Sequence, residues 1–314
     1  MTFAIKQLPE DFVVEEIIDL PESKSGKYTY FSLKKKGLNS EEAIQKIAAY
    51  MKKPRRLFSY AGNKDRQAVT TQYCSFLGSM NDFSLQGIGV RIIGKGSEAV
   101  HLGRHSANKF VVTVRNLSSS DLEAFQKRLA DMRQDNFKFV NYFDTQRFSR
   151  NNAEVGKEII RKNFSGAAKL ITGYNELQEY LKIHKNDFVG ALKRLPQKTL
   201  QMYIHAYQSK LWNMLADKSG SKKNVKLPLV GFDTKPGKAV KQLLESEGIS
   251  IRDFIVKQLP VSAEGHEREL YASATDFKIV ATGDDELNAG KSKITIAFSL
   301  PKASYATILI KELF

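Results

Sequence analysis

The chain has 314 residues, 42% hydrophobic and 10% aromatic, enough for one large or two modest packed domains and too apolar for a disordered chain. Its 49 basic and 34 acidic residues leave a formal charge of +15, which points to a polyanionic partner, nucleic acid ahead of a membrane surface. The single cysteine, Cys74, excludes an internal disulfide and a thiolate metal cluster, and with no bilayer-length apolar run and no leader-like start a soluble cytoplasmic protein is expected.

Two strand-like runs, 12–18 and 28–33, come first, separated by a Pro/Ser/Gly turn. Asn39, with Glu42 three residues on, reads as a helix start, and Ile44, Ile47, Ala48 and Met51 then form one apolar stripe. Residues 60–76, YAGNKDRQAVTTQYCSF, join two strand-like runs through one acid flanked by two bases. On local grounds Asp65 is either a solvated turn residue or a carboxylate held in place for chemistry. Strands at 90–93 and 110–114 follow. A helix is predicted to start after Ser120 or Asp121, with Leu122, Phe125, Leu129 and Met132 on one face.

From about residue 152 to 218 the texture is helical, most clearly over 154–164, 176–184 and 200–217. A basic loop at 218–224 leads to a short apolar run at 227–230. A Gly/Asp-rich stretch at 283–290 separates strands at 277–281 and 294–300, and a last strand is predicted at 305–310. The pattern is that of a mixed α/β domain interrupted by a mainly helical region, with the final strands returning to the first sheet.

Familiar site motifs fail on inspection. Ala289-Gly290-Lys291-Ser292 ends like a phosphate loop, but Asp285 stands where the first glycine belongs. Gly87-Ile88-Gly89 continues as a strand, and His266-Glu267-Arg268-Glu269-Leu270 lacks the second histidine of a metalloprotease helix. His101 and His105 flank Gly103 in a strand-like setting and read as a surface pair rather than a zinc site.

Three clusters remain: 63–67, 141–148 and 302–307. Each sets aromatic, amide or cationic groups side by side, as a protein needs in order to stack an unpaired base and hold its edges. Ala61-Gly62-Asn63-Lys64-Asp65-Arg66-Gln67-Ala68-Val69-Thr70-Thr71-Gln72 closely resembles the signature of the TruD-type tRNA pseudouridine synthases. Five further motifs resemble that family in its own order: Lys6 with 9–14, 108–110, 141–148, 206–213 and 300–307.

The resemblance implies an α+β fold: a pseudouridine-synthase-like catalytic domain with a mixed, mostly antiparallel sheet, interrupted by a mainly helical insertion. On that reading 1–153 and 281–314 form the catalytic domain, and 154–280 the insertion domain that contacts tRNA. It implies isomerisation of uridine to pseudouridine in tRNA, at uridine-13 in the D-arm region, by a monomer without metal or cofactor. Asp65 would be the nucleophile, adding to uracil C6 or attacking ribose C1′, and neighbouring cations are expected to keep it ionised. Lys64 and Arg66 are candidates by sequence and Lys6 by resemblance. Phe12, Asn141, Phe143 and Tyr305 match positions that contact the nucleotide. Arg147 is expected to meet phosphate or order its loop, and the basic runs 52–56 and 218–223 to grip the tRNA backbone. Family members usually have glycine where this chain has Ala107, Asp144, Ser149 and Ala303. The competing readings are a catalytically silent RNA-binding protein or RNA chaperone on the same fold, and a metal-dependent nuclease, which needs clustered carboxylates.

Overall fold

A computed structural model describes residues 3–20, 23 and 25–314, which divide into two units, 1–139 with 272–314 and 140–271. The boundaries implied by the family resemblance are 153/154 and 280/281. The second unit starts earlier because residues 141–143, which have no helical periodicity, are already bonded into it: the Phe143 N–H donates to Asn213 Oδ1 (3.0 Å) and Asn213 Nδ2 donates to the Phe143 carbonyl (2.9 Å).

The first unit opens with β1 (Phe12–Ile17), β2 (Tyr28–Lys36), α1 (Ser40–Tyr50), β3 (Phe58–Tyr60), β4 (Val69–Leu77), β5 (Phe83–Leu85), β6 (Ile88–Gly96), β7 (Ala107–Leu117), α2 (Ser119–Gln134) and β8 (Lys138–Val140). The second unit contributes α3 (Thr145–Phe148), α4 (Asn152–Ile160), α5 (Phe164–Leu170), α6 (Asn175–Ile183), α7 (Phe188–Leu192), α8 (Gln197–Ser219), β9 (Lys226–Leu229), α9 (Lys238–Glu247) and β10 (His266–Glu269). The chain returns through β11 (Tyr271–Ser273), β12 (Thr275–Asp284) and β13 (Ser292–Pro301) to α10 (Ala306–Leu313).

The first unit is built on a nine-stranded sheet in the order β12-β13-β7-β1-β4-β2-β6-β5, with β3 also paired to β4. Its pairs are antiparallel except β1 with β4. The late strands do return to the early ones, since β13 runs along the whole of β7. On one face α1 lays Ile44 and Ile47, both fully buried, against Phe31, Leu33, Phe58 and Phe76. Its start is the expected capping box: Asn39 Oδ1 accepts from the Glu42 N–H (2.9 Å) and Glu42 Oε2 from the Asn39 N–H (3.0 Å). Helix α2 starts slightly earlier than predicted because Ser118, not Ser120 or Asp121, is the cap.

The predicted last strand is a helix. An apolar run of this length fits either period, and local sequence does not separate them. As α10 it buries Leu309, Ile310 and Leu313 completely and packs on α2, with Phe314 stacked on Phe125 at 4.6 Å between ring centres. Alternate residues of a strand would have turned half of that apolar set outward.

In the second unit α8 is the spine, burying Leu200, Ile204, Tyr207, Leu211 and Trp212. It packs along α4, and the close approach is set by Gly156, where an added Cβ would lie 2.0 Å from the Tyr203 carbonyl oxygen. The segment at 266–269 considered for a metalloprotease helix is the strand β10, paired with β9.

Candidate active site

Asp65 lies where one edge of β4 changes partner. Residues 69–71 of β4 pair with β1, and residues 74–76 pair with β3. Between them side-chain and loop atoms take over. Glu16 Oε2 accepts the Tyr73 N–H (2.9 Å), and the Ala61 N–H reaches the Tyr73 carbonyl (3.4 Å). The chain from 61 to 68 loops out of this gap.

Buried side chains fix the loop from beneath. The Lys64 N–H donates to Ser40 Oγ (2.8 Å), whose hydroxyl donates to Gln72 Oε1 (2.7 Å), while Gln72 Nε2 donates to the Gly62 carbonyl (3.2 Å). Lys64 Nζ turns inward to Glu16 Oε1 at 2.6 Å, a pair almost wholly out of solvent. Lys35 donates its ammonium to the carbonyls of Leu38 (2.7 Å), Lys64 (3.3 Å) and Asp65 (2.8 Å). Backbone groups that a turn normally leaves to water are therefore held by protein. A loop so over-determined presents its side chains in a fixed direction.

The Asp65 carboxylate remains one-third exposed (33%) and pairs with Lys6 Nζ at 2.9 Å. Lys6 comes from 59 residues upstream and has a left-handed backbone, φ 60°. For a lysine that conformation is strained by about 1–2 kcal/mol and persists only where surroundings impose it. Here Ala4 pairs with Arg115 on one side, and Asp11 Oδ2 holds the Leu8 N–H on the other. The ammonium also sits 4.2 Å above the ring centre of Phe12. Carboxylate, ammonium and aromatic face are thus stacked in one place. The two bases flanking Asp65 are engaged elsewhere: Lys64 with Glu16, and Arg66 with Glu42.

Phe12 is 5% exposed and meets Phe110 edge-on at 6.0 Å, so most of its ring is core. The 302–305 turn is tied to the loop through a relay. The Lys302 N–H donates to the Ser106 carbonyl (3.0 Å), Lys302 Nζ to the Gly103 carbonyl (3.1 Å), and the Gly103 N–H to the Ala61 carbonyl (2.7 Å). Tyr305 caps α10 at the end of this turn and is half-buried. His105 is half-buried too, and burial and then the Lys64 charge lower its pKa, which favours the neutral ring. Asn108 Oδ1 and Ser304 Oγ, both in motifs singled out in the sequence, are buried with no hydrogen-bond partner among the described residues. Among the described residues no group of three or more His, Cys, Asp or Glu is placed to hold a metal ion.

The second unit carries its own constellation, and sequence reasoning missed its centre. Arg268 donates to the Asn141 carbonyl (3.0 and 2.7 Å) and to Asn141 Oδ1 (2.8 Å). Its guanidinium lies 4.1 Å over the Phe143 ring, and Phe143 meets Trp212 edge-on at 5.7 Å. Asn141 and Phe143 are therefore 6% and 8% exposed, locked by one arginine from β10. Arg147 sits 5.8 Å from the same ring and donates to Ser209 Oγ (3.2 Å).

The four glycine-to-other departures divide evenly. Ser149 (φ 48°) and Ala303 (φ 65°) do occupy left-handed backbone, whereas Asp144 is extended (φ −89°, ψ 168°) and Ala107 lies in β7. The left-handed freedom of glycine is thus not needed at position 144. Ser149, with ψ −136°, stands in territory that is nearly glycine's alone. Ser149→Gly is expected to stabilise the second unit by about 1 kcal/mol, because relief of strain exceeds the added chain entropy of glycine. A rise in the urea midpoint checks it, and a fall would mean the serine side chain contributes more than its backbone costs.

A sequence model of the family described as tRNA pseudouridine synthase D (TruD) matches residues 1–185, 174–222 and 216–313. A Methanosarcina acetivorans relative, "Probable tRNA pseudouridine synthase D", is 26% identical and covers 98% of this chain and 91% of its own length. A Methanocaldococcus jannaschii relative, "Probable tRNA pseudouridine synthase D 2", is 28% identical over 99% of this chain and 91% of its own. A crystal structure of a TruD candidate from Methanosarcina mazei superposes on 98% of this chain and 92% of that one, with a TM-score of 0.75 at 24% identity, which bears on the fold.

Proposed function

The chain belongs to the tRNA pseudouridine synthase D (TruD) family, and on that premise we propose that it converts a uridine of tRNA, uridine-13 in the D-arm region, to pseudouridine with Asp65 as nucleophile. The observation that supports this most directly is the Asp65 carboxylate itself, one-third exposed on a rigidly held loop and paired with Lys6 at 2.9 Å. Uridine becomes pseudouridine when the N1–C1′ bond breaks, the uracil turns, and a C5–C1′ bond forms. C5 loses a proton and N1 gains one, so atoms and electrons balance without an oxidant. A carboxylate serves either route, adding to C6 to loosen the base or displacing the base from C1′.

In this reading the Lys6 ammonium neutralises the carboxylate before attack and receives it again when the base departs. Tyr305, half-buried beside the relay to the loop, offers the stacking face. Phe12, with its ring under the ammonium, supports Lys6. Asn141, Phe143 and Arg147 enter through the family resemblance, and the net charge of +15 supplies the attraction to tRNA.

The test is incubation with unmodified tRNA followed by carbodiimide-blocked primer extension. A stop at uridine-13 is expected. A stop elsewhere overturns the position, and tight tRNA binding with no stop overturns the enzyme in favour of a silent RNA-binding protein. Lys6→Met is expected to lower the single-turnover rate about 10- to 100-fold with tRNA affinity changed less than about threefold, since one lysine is a small part of a broad electrostatic footprint. An unchanged rate would remove Lys6 from the site.

A further inference from the structure

We propose that Lys35 is a positioning residue for Asp65: its buried ammonium grips the carbonyls of Lys64 and Asp65 and sets the backbone from which the carboxylate projects. Lys34-Lys35-Lys36 end β2 as three consecutive bases. The strand's alternation divides them, leaving Lys34 and Lys36 outside and burying Lys35 on the side of Phe31 and Leu33, where it is 1% exposed. An ammonium has three donors and no acceptor. All three are used here, on the carbonyls of Leu38, Lys64 and Asp65 at 2.7, 3.3 and 2.8 Å.

A buried cation is expensive, and no surface charge needs it there. What it does is join three segments: the end of β2, the turn into α1, and the Asp65 loop. The peptide on which Asp65 sits is drawn down onto β2, while the side chain is left facing Lys6. The cation also lies near the loop's own charge. The groups bearing on it are Asp65 and Lys64 from the loop and Glu42 from α1, while its register partners across the sheet, Thr70 on β4 and Ile88 on β6, carry no charge. Burial, opposed by Asp65, lowers the Lys35 pKa to about 8. The grip therefore holds at neutral pH and is lost as pH rises through about 8, when the amine gives up its proton.

This inference rests on the reading of Asp65 as nucleophile. Its test measures single-turnover pseudouridine formation with saturating tRNA between pH 6.5 and 9.5, for the wild type, Lys35→Met and Asp65→Asn. Lys35→Met is expected to lower the rate about 10- to 100-fold at pH 7 with KM and tRNA binding within about threefold. The wild-type to Lys35→Met rate ratio, in which titration of the uracil cancels, should fall as pH passes about 8. A ratio that stays constant with pH, or a folded Lys35→Met at the wild-type rate, overturns the proposal. If Lys35→Met does not fold, Lys35→Arg decides the matter: its charge persists, so the wild-type rate should decline against it above pH 8, and a constant ratio overturns the proposal. Product from Asp65→Asn would instead overturn the nucleophile reading, so the two failures are separable.

Discussion

Asp65→Asn is expected to lower pseudouridine formation by about four orders of magnitude or more while leaving the protein folded and bound to tRNA. The size follows from the role, since removing a nucleophile leaves only binding and orientation to act on the substrate. The specificity follows from the loop. Its backbone is held through Ser40, Gln72 and Lys35, which touch main-chain atoms and not the Asp65 carboxylate. An amide of the same shape keeps those contacts and loses the charge that Lys6 meets. Primer extension after carbodiimide treatment reads the product, and filter binding reads tRNA affinity. Product at the wild-type rate would return Asp65 to its first description, a charged turn. Loss of tRNA binding together with product would make it a structural residue.

The sequence carried the elements whose signals are local. The Asn39 and Glu42 box, the helix α8 and the two late strands were legible because capping, period and β-branching act within a few residues. Contacts across the fold were not. Lys64 and Arg66 looked like the partners of Asp65 because they adjoin it. Successive side chains on an extended or looping backbone point apart, and both bases went to glutamates on other elements. Lys6, which does pair with the carboxylate, was available only by resemblance. Glu16 had no signal beyond being an acid in a strand, and its use in filling the β4 gap depends on a change of strand partner that no spacing encodes. Lys35 was legible in principle: the alternation from Phe31 and Leu33 lands on it, and a lysine in an inward position is itself a question. Arg268 was seen only as part of a failed histidine motif.

The largest stability effect is expected at Arg115. Its guanidinium, 4% exposed on β7, donates from Nε to Asp11 Oδ1 (2.8 Å), from Nη1 to Asp285 Oδ1 (2.8 Å) and from Nη2 to Glu286 Oε1 (3.1 Å). Asp285 also accepts the Asn116 and Leu287 N–H groups (2.8 and 3.0 Å) and Asn288 Nδ2 (2.7 Å). One planar fork thus joins three carboxylates from two distant segments, a task the single point charge of lysine does not match. Arg115→Met would strand two buried aspartates, and a loss of about 3–5 kcal/mol is expected in urea unfolding at pH 7. Burial opposes ionisation of Asp285, but its backbone, Asn288 and Arg115 hydrogen bonds outweigh that, so its folded pKa lies well below the ordinary 3.8. A depressed carboxylate stabilises the fold above its unfolded pKa and ceases to do so as pH falls toward the folded one. The wild type should therefore lose stability below about pH 4, and the deficit of Arg115→Met should shrink there as its stranded carboxylate takes a proton. A deficit that does not change between pH 7 and pH 3 would assign the loss to packing rather than charge. The same variant links the network to the proposed chemistry. Arg115 also pairs its backbone with Ala4, and Asp11 anchors Leu8, so this charge cluster fixes the segment that carries Lys6. Under conditions where Arg115→Met stays folded, its rate should fall toward that of Lys6→Met, because a lysine in strained backbone relaxes once its frame is loosened.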